Sequence, residues 1–286
     1  IEGRWAPTAI PDKRYLTMKH PVGVCAAISP WNFPVLLQAR KIAPALAAGC
    51  TVVSRPASQT PLCLIKVFEC IEEAGAPAGV VNLVMGPPDQ IVDEFLENTI
   101  CRKISFTGST EVGKQLMKRS ADDMKRISLE LGGHAPVLIF DDVDPEQAAK
   151  ISVIGKFRNN GQVCISPTRF YIHDRLRGAF TEAAVAFAKE LKLGNGLDEG
   201  VEIGPMFESK AMEKTERLIH QAVDVGATVL AGGKKASQFD SGYFFEPTVL
   251  DNVTRRAALM TEEPFAPIMP ILSFEEIDEA IAEANN

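Results

Sequence analysis

From residue 22 onward, short apolar runs alternate along the chain with longer segments of helical period. The runs predict strands at Val24–Ser29, Thr51–Ser54, Val80–Met85, Lys103–Thr107 and Arg126–Leu131. Between them the spacing predicts helices over Val35–Ala48, Pro61–Ala74, Pro88–Asn98 and Thr110–Ser120. Gly49 ends the first of these helices, and Gly75 is placed to C-cap the second. Strands separated by helices imply a parallel sheet with right-handed crossovers. Ligands of such sheets bind beyond the carboxyl ends of the strands.

A second alternating series follows Gly132-Gly133. Strands are expected at Pro136–Phe140, Thr168–His173, Ala227–Ala231 and Pro247–Leu250. Helices are expected at Pro145–Phe157, with Asp144 as N-cap, and at Leu176–Lys192 and Lys210–Val225. The fold class is therefore α/β: a parallel-sheet, Rossmann-like domain over residues 23–131 and a second α/β domain over 132–286, hinged at the glycine pair. Residues 1–22 are proline-rich and alternate poorly, so they read as an arm. Ile1-Glu2-Gly3-Arg4 resembles a protease-cleavage tag and reads equally as native sequence. The chain stops in a helical pattern without a C-terminal cap signal, which suggests truncation.

Composition narrows the function classes. A net charge of −7 gives no reason to expect nucleic acid or anionic membrane as a partner. No apolar run reaches the length of a membrane span. The six cysteines form no CxxC pair and do not cluster with the four histidines, so neither a metal site nor a disulfide framework is expected. Free thiols point to a cytoplasmic, reducing setting.

Four segments carry candidate chemistry. Phe106-Thr107-Gly108-Ser109-Thr110-Glu111-Val112-Gly113 passes from a strand into a helix, whose N-terminal N–H groups suit a phosphate. Read alone, it is as readily a plain turn. Cys164 follows Arg158-Asn159-Asn160-Gly161-Gln162-Val163 in a polar, glycine-containing loop, a setting for a reactive thiolate as well as for an inert thiol. Glu130 ends a strand facing the crevice and could act as a base on water, or be a surface carboxylate. Pro30-Trp31-Asn32-Phe33-Pro34 is a pinned loop whose amide could donate to an oxyanion.

Taken in chain order, Pro-Trp-Asn-Phe-Pro, Gly-Ser-Thr-Glu-Val-Gly, Leu-Glu-Leu-Gly-Gly, Gly-Gln-Val-Cys and Glu262-Glu263-Pro264-Phe265-Ala266-Pro267 resemble the aldehyde dehydrogenase superfamily, from about residue 20 to the end. The resemblance implies oxidation of an aldehyde to an acid through a thioester on Cys164. It implies Asn32 and the Cys164 N–H as oxyanion donors and Glu130 as general base. Gly108, Ser109 and Gly113 would form the pyrophosphate turn. Trp31, Arg55, Ser58, Leu131, Glu263 and Phe265 complete the implied contacts to NADP or NAD. Members of the superfamily extend beyond both ends of this chain, and a homodimer or homotetramer is implied at full length.

Two arginines narrow the implied substrate. Arg40 lies eight residues after Asn32, and Arg158 six before Cys164. Succinate-semialdehyde dehydrogenases of the superfamily have arginine at both places, where a guanidinium pair suits a distal carboxylate. An ω-carboxy aldehyde is expected, succinate semialdehyde first and glutarate semialdehyde next. Ser58 stands where NAD-preferring members often have glutamate, so NADP should be accepted. Ser166 replaces the second cysteine of some relatives and excludes that disulfide switch. The competing readings are an inactive module that binds nucleotide or partner subunits, and a cofactor-free hydrolase using Cys164 and Glu130.

Overall fold

The computed structural model describes residues 3–286; Ile1 and Glu2, which open the tag-like segment, lie outside the described residues. Two short strands, β1 (Arg4–Ala6) and β2 (Tyr15–Thr17), pair antiparallel with every residue exposed. The arm thus forms a small ribbon, whose pairing the poor alternation of its sequence did not reveal. The chain divides into two compact units, one ending at Leu131 and the other spanning Gly132–Asn286.

In the first unit, β3 (Val24–Ile28), β4 (Thr51–Arg55), β5 (Val81–Leu83), β6 (Cys101–Thr107) and β7 (Arg126–Glu130) form one parallel sheet in the order β5-β4-β3-β6-β7. Chain progression runs one way from β3 through β4 to β5 and the other way through β6 to β7. The reversal between β3 and β6 is the kind of switch point where doubly wound sheets bind ligands. Helices α1 (Pro34–Ala47), α2 (Leu62–Glu73), α3 (Pro88–Glu97) and α4 (Thr110–Ser120) make the crossovers. One apolar cluster joins Ile42 and Leu46 of α1 and Phe68 of α2 to Cys25, Ala27 and Val52. Another joins Phe95, Leu96 and Leu116 of α3 and α4 to Ala26, Ile28, Ile104 and Phe106. Alternation along β3, with Cys25 and Ala27 in one cluster and Ala26 and Ile28 in the other, explains why its run is apolar throughout. The expected strand Val80–Met85 is shorter, but ladder-type bonds flank it: Val52 N–H donates to Val80 O at 2.9 Å and Val84 N–H to Ser54 O at 2.9 Å.

The second unit holds β8 (Ala135–Ile139), α5 (Pro145–Phe157), β9 (Pro167–His173), α6 (Asp174–Glu190), α7 (Ser209–Asp224), β10 (Thr228–Ala231), β11 (Thr248–Asp251), β12 (Ile268–Phe274) and α8 (Ile277–Ala284). Its sheet order is β10-β11-β12-β9-β8, parallel except for the β10–β11 pair. The α5 helix matches its expected bounds, and Asp144 caps it by accepting from Glu146 N–H at 3.0 Å. The α6 helix starts earlier than expected because the His173 side chain accepts from Arg175 N–H at 3.3 Å and supplies the cap. No strand was expected at β12, yet it lies between β11 and β9. Its Pro270 breaks the run by the rule that proline avoids interior strands, while every residue but Ser273 is buried.

No helix among the described residues is long and apolar enough to cross a membrane.

Candidate active site

In the first unit, the carboxyl ends of the strands gather the expected residues on one sheet edge. Register places Ile28 opposite both Arg55 and Phe106, and Thr107 opposite Glu130. The Trp31-Asn32-Phe33 segment leaves β3 and runs into α1, whose first position is Pro34. Proline there sacrifices no helical hydrogen bond and pre-sets the helical φ, so α1 starts at a defined distance from Asn32. Buried Gln38 ties α1 back to the sheet by donating to Ala27 O at 3.3 Å.

Phe106 and Leu131 explain two glycines of the predicted phosphate turn. A Cβ on Gly108 would lie 2.4 Å from the Phe106 ring, and one on Gly113 would lie 2.5 Å from a Leu131 methyl. Gly113 therefore lets α4 approach the end of β7, where Leu131 packs. Ser109 caps α4, its hydroxyl accepting from Val112 N–H at 3.3 Å. Arg55 is 9% exposed and donates to Ser58 Oγ at 2.9 Å, while its buried Nε has no hydrogen-bond partner among the described residues. Burial holds this guanidinium below its ordinary pKa, against the opposing pull of Asp89. A buried cation with an unused donor suits a ribose hydroxyl or a phosphate, so the residues present fit the dinucleotide that the sequence pattern implies.

Sequence reasoning passed over Lys41. Its Nζ donates to Thr107 Oγ1 at 2.6 Å, next to the Glu130 position in the β6–β7 register. Burial pushes its pKa down to about 8; Glu130 opposes this, and the charges of Arg40 and Lys103 add to it. The helical spacing of Leu37, Gln38 and Ile42, all buried, was the available signal, because it turns Lys41 toward the sheet. Arg40, one residue earlier, is exposed.

In the second unit, Arg158 opens a short 3-10 turn, Arg158–Gly161, ahead of the cysteine. Asn159, Asn160 and Gly161 hold φ of 49°, 57° and 70°, three successive left-handed residues. Asparagine tolerates that region better than most side chains, and a run of it marks a specified loop. The loop is closed by amides. Asn159 Nδ2 donates to Gln162 O and Gln162 Nε2 to Asn159 O, both at 3.2 Å, while Gln162 Oε1 accepts from Phe207 N–H at 2.9 Å. Buried Asn160 donates to Gly204 O at 3.2 Å. Cys164 emerges from this scaffold half-buried, and Ser166 N–H closes the turn by donating to Val163 O at 2.9 Å.

The Glu262–Pro267 segment packs against the same loop, for a Cβ on Gly161 would meet Ala266 O at 2.2 Å. Phe265 is itself left-handed, with φ 49°. Burial raises the Glu263 carboxyl, offset by the Gly133 N–H and by the charges of Lys214 and Lys156. Lys214 also donates to Glu263 O at 2.6 Å. Lys156, fully buried, is a further residue that sequence reasoning missed. Asn32, Glu130, Arg40, Arg55, Ser58 and the phosphate turn thus belong to the first unit, and Cys164, Arg158, Glu263 and Phe265 to the second. No group of metal-ligating side chains occurs among the described residues.

Comparison with known proteins defines the class. The chain belongs to the aldehyde dehydrogenase family, whose model matches residues 1–286. It is 47% identical over its whole length to a glutarate-semialdehyde dehydrogenase of Pseudomonas putida, covering 59% of that protein. It is 45% identical, again over its whole length, to an NADP-dependent succinate-semialdehyde dehydrogenase of Escherichia coli, covering 59% of it. The solved structure of an NADP-dependent enzyme from E. coli superposes with a TM-score of 0.97 at 45% identity, covering all of this chain and 59% of the other. The chain therefore spans about three-fifths of the length of these relatives.

Proposed function

We propose that the protein oxidises an ω-carboxy aldehyde, succinate or glutarate semialdehyde, to the corresponding diacid, with NADP or NAD as acceptor. The observation that carries this reading is Cys164, partly exposed on a loop held by amides and left-handed backbone, within a chain that matches semialdehyde dehydrogenases over its whole length. Cys164, as thiolate, attacks the aldehyde carbon. Asn32 and the Cys164 N–H stabilise the resulting oxyanion by hydrogen bonds that strengthen as charge develops. A bound dinucleotide would supply the hydride acceptor, and loss of the hydride from the adduct leaves a thioester on Cys164. Glu130 then takes a proton from water, which attacks the thioester and releases the acid.

The Glu130 charge favours the charged form of Lys41, opposing the effect of that lysine's burial. Arg40 and Arg158 are the candidates for the distal carboxylate. Arg55, Ser58, Trp31, Leu131 and the Gly108–Gly113 turn would hold the dinucleotide, with Glu263 and Phe265 at its nicotinamide end. Ser58 leaves room for a 2′-phosphate, in keeping with the NADP named for the E. coli relative.

Absorbance of the reduced nicotinamide tests the reading, with each semialdehyde and each cofactor and with Cys164→Ala as control. A rise that the control abolishes is expected. Arg40→Leu and Arg158→Leu should raise KM for the carboxy aldehydes and leave that for a neutral aldehyde unchanged. No rise from a folded chain would sink the dehydrogenase reading and leave a module that binds nucleotide or partner subunits.

A further inference from the structure

Lys156 stands in the last turn of α5 with its side chain completely buried. Lysine is almost never fully buried unless a specific partner receives it. Its Nζ donates to Ser166 Oγ at 3.2 Å, and the Ser166 hydroxyl has Pro167 O at 3.3 Å and Lys156 O at 3.5 Å as acceptors. Ser166 is 3% exposed, and its N–H closes the Val163–Ser166 turn that carries Cys164. One hydrogen-bonded chain therefore links a buried ammonium to the turn of the proposed nucleophile.

The groups that face Lys156 are few. Glu263 attracts it from the loop before β12, while Lys214 of α7 draws on the same carboxylate. The Lys156 charge in turn depresses the His134 ring, as does that of Arg169 on β9. Arg158 opens the 3-10 turn that follows α5.

We infer that Lys156 is the positioning residue of the nucleophile turn: it holds Cys164 in place through Ser166 and supplies a buried positive charge that favours the thiolate. A nearby ammonium favours a thiolate over a thiol, and a site of low polarity strengthens the effect. Burial lowers the Lys156 pKa to about 7, with Glu263 opposing. The charge is therefore present below that pH and fades above it. The inference rests on Cys164 as nucleophile, and its test reads the thiol rather than turnover.

The measurement is the rate of Cys164 alkylation by iodoacetamide, followed by peptide mass spectrometry, over a pH series spanning the Lys156 value of about 7. Lys156→Met should slow labelling on the order of tenfold below that pH, one unit of thiol pKa, and converge with the unaltered chain above it. Ser166→Ala should also slow labelling, and Ser166→Thr, which keeps the hydroxyl, should restore the unaltered profile. A purely structural role would lower the melting temperature of these variants and leave the profile in place. Superimposed profiles for a folded Lys156→Met overturn the inference. If that variant fails to fold, a Ser166→Ala profile identical to the unaltered one overturns it instead. An inactive chain with the expected profiles would defeat the dehydrogenase reading alone, and an active chain with superimposed profiles would defeat this inference alone.

Discussion

Gly161 and Ala266 lie so close that a Cβ on the glycine would sit 2.2 Å from the Ala266 carbonyl oxygen. That approach joins the cysteine loop to the Glu262–Pro267 segment, two parts of the sequence about a hundred residues apart. The glycine is also left-handed, with φ 70°, so both sterics and backbone demand it. Neither neighbour can yield cheaply. Ala266 O accepts from Ile268 N–H at 2.8 Å, and Gly161 follows two asparagines already in the same region. Gly161→Ala should therefore cost at least about 3 kcal/mol, the sum of left-handed strain and overpacking. Urea denaturation followed by tryptophan-independent circular dichroism would measure it. A loss under about 1 kcal/mol would mean that the two segments separate easily and that the loop is not held as described.

The proposed preference for NADP turns on one small side chain, Ser58. Ser58 Oγ receives Arg55 Nη2 at 2.9 Å, leaving the buried guanidinium as the local positive charge. Ser58→Glu would put a carboxylate within reach of Arg55, consuming that charge and repelling a 2′-phosphate. The ratio of kcat/KM for NADP to that for NAD should fall by at least about tenfold, because like charges brought together cost more than ~1.4 kcal/mol. Steady-state kinetics with both cofactors would read the ratio. No change in it would remove Ser58 from the cofactor site.

What was legible in the sequence follows from what each level of structure depends on. The α4 and α5 helices fell on their expected bounds; Asp144 announces the α5 cap in the sequence, while the α4 cap by Ser109 emerged from the structure. The parallel sheet of the first unit followed from apolar runs separated by helices, a pattern that needs no tertiary information. By contrast, β12 was hidden because Pro270 imitates a strand breaker, and only its seat between β11 and β9 shows that the ladder tolerates it. The motif residues were legible by type and order. Lys156 was not, since an ordinary lysine in a helix gives no sign of burial, and Lys41 left only the indirect signal of its helical spacing from Leu37, Gln38 and Ile42. Their roles arise from Thr107, sixty-six residues from Lys41, and from Ser166 across a loop.

His134 makes the stability of the second unit depend on pH. Its Nε2 bonds Leu259 O at 2.8 Å and so carries the proton, while Nδ1 faces the Thr168 hydroxyl. Burial pushes its pKa from 6.5 down to about 4, helped by the charges of Arg169 and Lys156 and opposed by the Leu259 carbonyl. Between those two values the unfolded chain binds a proton that the folded chain refuses, so folding is favoured as pH rises through this window. The contribution is complete above pH 6.5 and is lost as pH falls toward 4. The ring is only partly buried, and screening limits the effect to about 1–2 kcal/mol. His134→Gln keeps an amide donor for Leu259 and cannot titrate. It should be less stable than the unaltered chain above pH 6.5 and should lose less stability on acidification below it, in urea titrations across the window. Parallel curves for the two proteins would show that the ring stays protonated in the fold and that its burial does not govern acid sensitivity.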